Sequence, residues 1–352
     1  MARSLVLLSG GLDSTLVVRL LLDMGVEVEA IHFTSPFCRC TPESWGCSAA
    51  HRAAEQAGIK VHGVACGEAY LEVVKRPRFG RGSQMNPCLD CRVFMFTRAR
   101  ELMAKLGADF IATGEVLGQR PMSQRRDTMQ LIERESGLDG LILRPLSAQL
   151  LPPSVPEQKG WVDRNQLLAI SGRSRRPQMA MAKERDIRDY PCPAGGCLLN
   201  DPEFAVRFKD LLDHEPGFGV AEARLLKWGR HFRLPSGRKV VVGRNEQENG
   251  VIEAAAQAGS ILLRPVDVPA PSALLPSGGS DDDVERAAGL MAAYAKSAHG
   301  FAVQVVEKNG DEGREWMVSA VPLSRTLAAQ WRIGLEQATP SDAEKSSGGK
   351  EA

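Results

Sequence analysis

An α/β fold, a parallel sheet covered on both faces followed by a smaller α+β domain, is predicted by three observations. Short apolar runs alternate with helix-periodic segments over residues 4–113, which is the pattern of βαβ units. Glycines cluster where those runs end, in SGG (9–11), TGE (113–115) and LGQ (117–119), and ligands of such sheets sit beyond the carboxyl ends of the strands. From about residue 220 the pattern changes to strand pairs joined by tight turns, as in an antiparallel sheet.

The elements follow in order. SLVLLS (4–9) is a short buried strand and 13–24 a helix with apolar residues at helical spacing. Residues 26–34 and 60–66 read as strands, with a helix over 48–57 between them. A strongly periodic helix over 93–107 leads into a strand at 109–113. From 146 prolines recur (152, 153, 156, 177, 191, 193, 202), so 146–215 reads as an elaboration of the first domain, closed by a helix at 203–213. Residues 214–219 (HEPGFG) read as a linker. The second domain, 216–338, is predicted to hold two strands within 231–244, a helix over 246–258 and a strand at 261–265. A Pro-, Ser-, Gly- and Asp-rich mobile loop (266–283), a helix (284–298) and strands at 301–307 and 315–321 complete it. The tail 339–352 has the composition of a disordered segment.

Composition narrows the class. Of 352 residues 43% are hydrophobic and 25% charged, which excludes a collagenous or wholly disordered chain. With aromatics at 5%, aliphatic side chains must fill the core. Lys and Arg number 44 against 43 Asp and Glu, so net charge points to no partner and any basic patch has to be local. No apolar run reaches the length of a membrane span and the first residues lack a signal-peptide pattern, so a cytoplasmic, membrane-free protein is expected. Eight cysteines in a reducing compartment point to catalysis or metal binding before disulfides.

SGGLDS (9–14) lies between a strand and a helix. Gly10 and Gly11 let backbone approach an anion, Ser9 and Ser14 offer hydroxyls, and the helix N-terminus adds its dipole. That combination suits a pyrophosphate. It is not a Walker loop, since GxxxxGK[ST] occurs nowhere. The motif resembles the PP-loop of the ATP pyrophosphatases, whose domains have the adenine nucleotide alpha hydrolase-like fold. TGEVLGQRPMSQ (113–124) is similar to the TGESLGQxxSQ segment of tRNA 4-thiouridine synthetases, with one extra residue. The resemblance covers about 4–150 and implies cleavage of ATP between its α- and β-phosphates with Mg²⁺. It implies an ATP site of Ser9, Gly10, Gly11, Asp13, Ser14, His32, Phe33, Arg92, Gly114 and Gln124, with Asp13 serving the metal or the phosphate loop. It further implies adenylation of a uridine oxygen in tRNA, then sulfur transfer, with 4-thiouridine favoured over 2-thiouridine. A cysteine desulfurase or sulfide would supply the sulfur, and a homodimer is left open.

Cys88 and Cys91 form NPCLDC, and Cys197 follows Cys192 in PCPAGGC. A CxxC with a distant third cysteine resembles sulfur-transferring PP-loop enzymes, which implies catalytic roles for Cys88, Cys91 and Cys197. Three chemistries stay open for them: an iron–sulfur (4Fe–4S) cluster with one open iron, a persulfide relay, or zinc with Cys192 as fourth ligand. Cys38, Cys40 and Cys47 form a CxC with a later cysteine, which could bind a metal but reads first as a loop of small residues that happen to be thiols, and Cys66 reads as packed.

Residues 224–244 hold seven basic and no acidic residues. Arg230, Arg233, Arg238, Lys239 and Arg244 are the candidates for a phosphate-following stripe. HFRLPSGRKVVVGRNEQEN (231–249) resembles the RNA-binding domain of NFACT-type proteins, which implies that this domain holds RNA. Two other readings remain: a PP-loop ligase or sulfurtransferase for a small thiamin-related molecule, and a non-catalytic RNA-binding protein.

Overall fold

The computed structural model describes residues 2–39, 48–187, 190, 197–296, 300–309 and 313–334. Cys40, Cys47, Cys192 and the tail 339–352 lie outside them. The chain divides into two compact units.

The first unit opens β1 (Arg3–Leu7), α1 (Leu12–Asp23), β2 (Glu27–Thr34), α2 (Ser48–Ala57), β3 (Val61–Ala65) and α3 (Glu68–Lys75). It continues α4 (Cys88–Leu106), β4 (Phe110–Thr113), α5 (Arg126–Ser136) and β5 (Ile142–Leu143), with α6 (Val155–Gln158) and α7 (Arg176–Glu184) in the elaboration. Five parallel strands run β3-β2-β1-β4-β5, so the expected α/β class is borne out. Alternation along β1 explains the double covering. Leu5 and Leu7 pack with Ile31, Ile111 and Phe96 of α4 on one face, while Val6 and Leu8 pack with Leu16 and Leu20 of α1 on the other. Chain order reverses on either side of β1, and crevices for ligands open at such a switch point.

The second unit begins at Leu199 and takes in Ser83–Met85. Its elements are α8 (Pro202–His214), α9 (Val220–Leu225), β6 (Arg230–Arg233), β7 (Lys239–Val242), α10 (Glu246–Ala254) and β8 (Ile261–Pro265). β9 (Ala273–Leu275), α11 (Asp281–Tyr294), β10 (Phe301–Glu307), β11 (Arg314–Ala320) and α12 (Arg325–Trp331) follow. Six antiparallel strands run β11-β10-β8-β9-β7-β6. Val284, Ala287, Ala288 and Met291 of α11 cover one face, and Ile252 of α10 packs on Val241, Leu262 and Leu274 of the other.

Two expectations change. The helix expected to close the first domain is α8, and it belongs to the second unit, so the division falls at 198/199 and not at 215. Phe208 meets Phe218 edge-on, and the Asp210 carboxylate takes the Arg233 guanidinium at 2.5 Å. The loop expected over 266–283 contains β9, a central strand between β8 and β7. Its Ala273, Leu274 and Leu275 are buried, and the flanking Pro, Ser and Gly masked that three-residue apolar run.

Candidate active site

The loop after β1 is held by its own hydroxyls. Ser9 Oγ lies 3.1 Å from Ser14 Oγ and accepts from the Gly11 N–H at 3.3 Å. Ser14 Oγ donates to the Gly11 carbonyl at 3.0 Å. Gly10 has φ +75°, and a Cβ there would stand 2.4 Å from the Ala50 nitrogen, so both conformation and space require glycine. No side chain caps the first turn of α1 at Gly11, which leaves its N–H groups for an anion.

Gly114, at the end of β4, is pressed against this loop. A Cβ there would lie 2.6 Å from the Ser14 nitrogen and 2.7 Å from the Asp13 carbonyl carbon. The two glycine segments therefore meet at the switch point beside β1. Asp13 sits in the first turn of α1, where Gln119 Nε2 donates to its Oδ2 at 3.3 Å and Arg175 stands 3.3 Å from the same oxygen. Its buried Oδ1 has no hydrogen-bond partner among the described residues. A single carboxylate with one oxygen to spare fits Mg²⁺, which takes most of its ligands from phosphates and water.

His32 is buried, and its Nδ1 lies 2.8 Å from the Leu8 carbonyl, which fixes Nδ1 as the protonated nitrogen. Burial pushes its pKa below the ordinary imidazole value, with a smaller push from His51. The ring is a neutral acceptor whose buried Nε2 is unpaired. Phe33 points to the other face of the sheet, against the cluster containing Leu5, Ile31 and Phe96, so its side chain does not join His32. Gln124 is buried with Oε1 unpaired, and its carbonyl takes the Gly118 N–H at 2.7 Å.

Arg92 follows Cys91 on α4, and its Nε is 3.2 Å from Glu115 Oε1. Arg144 Nε donates to the other oxygen of Glu115 at 3.1 Å. Desolvation and the charges of Arg92 and Arg175 lower the pKa of the Arg120 guanidinium. Arg92, Arg120 and Arg175 thus lie within electrostatic reach around the loop, an arrangement that favours a polyanion. Glu115 was not singled out from sequence as a site residue, and Arg120 and Arg175 lie in basic clusters, QRPMSQRR (119–126) and GRSRR (172–176), that read as a candidate RNA path and not as part of the ATP site. TGE next to a buried strand end was the available signal for Glu115.

The thiols gather in the same unit. Cys88 and Cys91 open α4; Asn86 Nδ2 donates to Cys88 Sγ at 3.0 Å and the Tyr70 hydroxyl to Cys91 Sγ at 3.1 Å. Burial raises the Cys91 pKa against the opposing pull of Tyr70 and Arg92. Cys66 is buried as expected, and its thiol is pushed up to about 12 by burial and by Cys91 and Cys38. The charges of Cys91, Cys197 and Cys66 also raise the buried Tyr70 hydroxyl, after burial itself. Cys197 faces Cys38 across an isolated antiparallel bridge. Cys38 therefore stands among the sulfur residues, against its first reading as an incidental loop thiol. Among the described residues no group of three or more His, Cys, Asp or Glu side chains is arranged to hold a metal ion.

In the second unit the basic stripe is not continuous. Lys239 is 4% exposed, with Nζ 3.5 Å from Asp210. Arg233 is paired with Asp210 at 2.5 Å and Glu215 at 3.0 Å. Arg230 lies 4.5 Å over the Tyr294 ring, and Arg244 pairs with Glu248 at 2.7 Å while remaining exposed. Arg238 is exposed, with one nitrogen 3.2 Å from the Ser277 carbonyl. Of the five, Arg238 and Arg244 remain available to a phosphate, while burial and ion pairing occupy Lys239 and Arg233.

Residues 1–149 match the family model of the thiamine biosynthesis protein ThiI, and residues 229–332 that of the NFACT protein RNA binding domain. The tRNA-specific 2-thiouridylase MnmA of Sulfurimonas denitrificans is 33% identical over 117 residues, 31% of this chain and 33% of that protein. The MnmA of Marinobacter nauticus is 32% identical over 236 residues, 61% of this chain and 55% of that one. A solved 4-thiouridine synthetase–RNA complex with bound ATP aligns at 19% identity, covering 63% of this chain and 52% of that one, with a TM-score of 0.36. The chain spans about a third of the length of the first of these relatives. The resemblances carried by SGGLDS, TGEVLGQRPMSQ and the GRNEQEN segment are borne out as matches: the first segment of the chain is similar to ThiI and a later one to the NFACT RNA binding domain.

Proposed function

We propose that this chain is an ATP-dependent tRNA sulfurtransferase that adenylates a uridine oxygen and replaces it with sulfur. One observation carries the reading. The pyrophosphate loop and the cysteines of α4 occupy one compact unit, linked by Arg92, which adjoins Cys91 and pairs with Glu115 beside Gly114. ATP would lay its phosphates on the 9–14 loop and its adenine toward the neutral Nε2 of His32, which can accept an amino proton. Asp13 would hold Mg²⁺, which neutralises phosphate charge when bound. The loop N–H groups and Arg92, Arg120 and Arg175 stabilise charge on the α-phosphate as the uridine oxygen attacks and pyrophosphate leaves. AMP is then a good leaving group from the activated carbon.

Sulfur arrives through a cysteine persulfide, a reading supported by Cys197 and Cys38 facing each other across one bridge; a cysteine desulfurase would supply it. The TGEVLGQ segment favours 4-thiouridine. The 2-thiouridylase relatives favour C2 as a second reading. The second unit supplies RNA affinity, supported by its match to the NFACT domain. The test incubates full-length protein with ATP, tRNA and a persulfide donor, then digests the tRNA for nucleoside mass spectrometry. AMP, pyrophosphate and a thiouridine are expected, and the isomer separates C4 from C2. Release of ADP, or AMP release indifferent to tRNA, overturns the proposal.

A further inference from the structure

Cys38 and Cys197 are far apart in sequence, yet they are opposite residues of an antiparallel bridge. The neighbouring Leu198 N–H bonds the Phe37 carbonyl at 2.8 Å. That pattern makes Cys38 and Cys197 a non-hydrogen-bonded pair, the closer of the two kinds, with Cα atoms about 4.5 Å apart and side chains on one side. A disulfide needs Cα atoms about 4.4–6.8 Å apart. The sulfur of Cys38 also has company suited to exchange. The Ser35 N–H donates to it at 3.3 Å and the Ser35 hydroxyl lies 3.4 Å away, so negative charge gathering on Sγ meets donors. The other thiols are placed differently. Cys91 takes the Tyr70 hydroxyl, Cys88 takes the Asn86 amide, and Cys66 is buried.

We propose that Cys38 is the resolving thiol for sulfur carried on Cys197. The inference rests on the thiolation reading above and names the residue that completes it. The outer sulfur of a Cys197 persulfide bonds to the activated carbon of the base, and the bond to AMP breaks with its electron pair on the phosphate oxygen. Cys197 is then joined to the base through two sulfurs. Cys38 gives its proton to solvent and attacks the Cys197 sulfur. The Cys38–Cys197 bond forms, the sulfur–sulfur bond to the base breaks, and the electron pair leaves on the thiolated base. A dithiol reductant, itself oxidised to a disulfide, returns Cys38 and Cys197 to thiols. A persulfide donor then reloads Cys197.

Two measurements on the full-length protein test this. Diamide-treated protein is digested without reduction and its linked peptides are sequenced by mass spectrometry. Trypsin cuts after Arg39, which separates Cys38 from Cys40, and fragment spectra separate Cys192 from Cys197. The expected link joins Cys38 to Cys197, is lost in Cys38→Ser and persists in Cys88→Ser. A link from Cys197 to Cys88 or Cys91 instead, or none to Cys197, overturns the assignment. In the second measurement, Cys38→Ser should thiolate tRNA at least tenfold more slowly than wild type without added dithiol. It should accumulate a Cys197–tRNA adduct that dithiothreitol releases as thiolated tRNA. Wild-type turnover by Cys38→Ser without dithiol also overturns it. If wild-type protein forms the Cys38–Cys197 link but makes no thionucleoside, the thiolation reading falls and the resolving role with it. A wrong partner in the linked peptide removes only Cys38.

Discussion

Gly114→Ala isolates the meeting of the two loops. The added methyl carbon would stand 2.6 Å from the Ser14 nitrogen, 2.7 Å from the Asp13 carbonyl carbon and 2.9 Å from the Asp13 carbonyl oxygen. All three are backbone atoms, so no side chain can rotate away. Ordinary contact begins near 3.4 Å, and the start of α1 must therefore retreat by roughly 0.8 Å from β4. Overpacking of this kind costs about 1–3 kcal/mol, or roughly 2–4 °C in Tm per kcal/mol for a unit of this size. The catalytic effect should be larger than the thermal one. A shift approaching 1 Å in a positioned reactant costs on the order of 10²-fold in rate, and here the loop that would seat the α-phosphate is what moves. We expect tRNA-dependent AMP release to fall about a hundredfold while the protein melts within several degrees of wild type. Circular dichroism reads the fold and thin-layer chromatography of labelled ATP reads the rate. Gly114→Ala with wild-type kcat/KM for ATP would refute the placement of the phosphates on this loop. Gly67→Ala, at a glycine that like Gly114 has no left-handed φ but has open space around it, controls for the loss of a glycine in this unit.

Asp13→Asn should cut AMP release at least a hundredfold and weaken its response to added Mg²⁺, read by titrating the metal; unchanged Mg²⁺ dependence would remove Asp13 from the metal. Burial lowers the His32 pKa below its unfolded value. Stability from the neutral ring is therefore complete above about pH 6.5 and is lost as pH falls from there through the folded pKa. ATP affinity should stay flat from pH 8 to about 6.5 and decline only below that, in a calorimetric titration. Lys239 is held down to about 8 by burial, against the opposing pull of Asp210. Its unfolded form binds more protons between about pH 8 and 10.5, so stability should rise with pH across that window, and Lys239→Met should abolish the rise in denaturant melts. Arg238→Gln with Arg244→Gln should lower tRNA affinity and reduce the log–log salt slope by about 0.7–0.9 per lost phosphate contact, whereas Lys239→Met should leave that slope unchanged.

Much of the first unit was legible because its signals are local. β1, α1, β2 and the periodic α4 each declare themselves within a dozen or so residues, and SGGLDS fixes the turn between the first two. What stayed hidden depends on contacts between distant segments. Glu115 looks like one more acidic residue until Arg92 and Arg144 close on its two oxygens. β9 is three apolar residues among turn formers, and only its neighbours β8 and β7 make it a strand. Cys38 reads as an incidental thiol in a loop because the residue that faces it, Cys197, is far away in sequence.

The same limit governs charge. Counting along 224–244 gives a stripe with no acidic member, yet the partners that remove part of it come from elsewhere. Asp210 of α8 reaches Arg233 and Lys239, Glu215 adds to Arg233, and Glu248 of α10 takes Arg244. Lys239 is lost to the interior because the strand β7 is buried at every position. Basic residues close together in sequence thus split between an internal ion-pair network and an outer face, and only the outer share can release counterions from RNA. The salt slope therefore counts phosphate contacts by exposed arginines. A slope that fell on removing Lys239, buried beside Asp210, would mean that RNA binding opens the second unit around that ion pair.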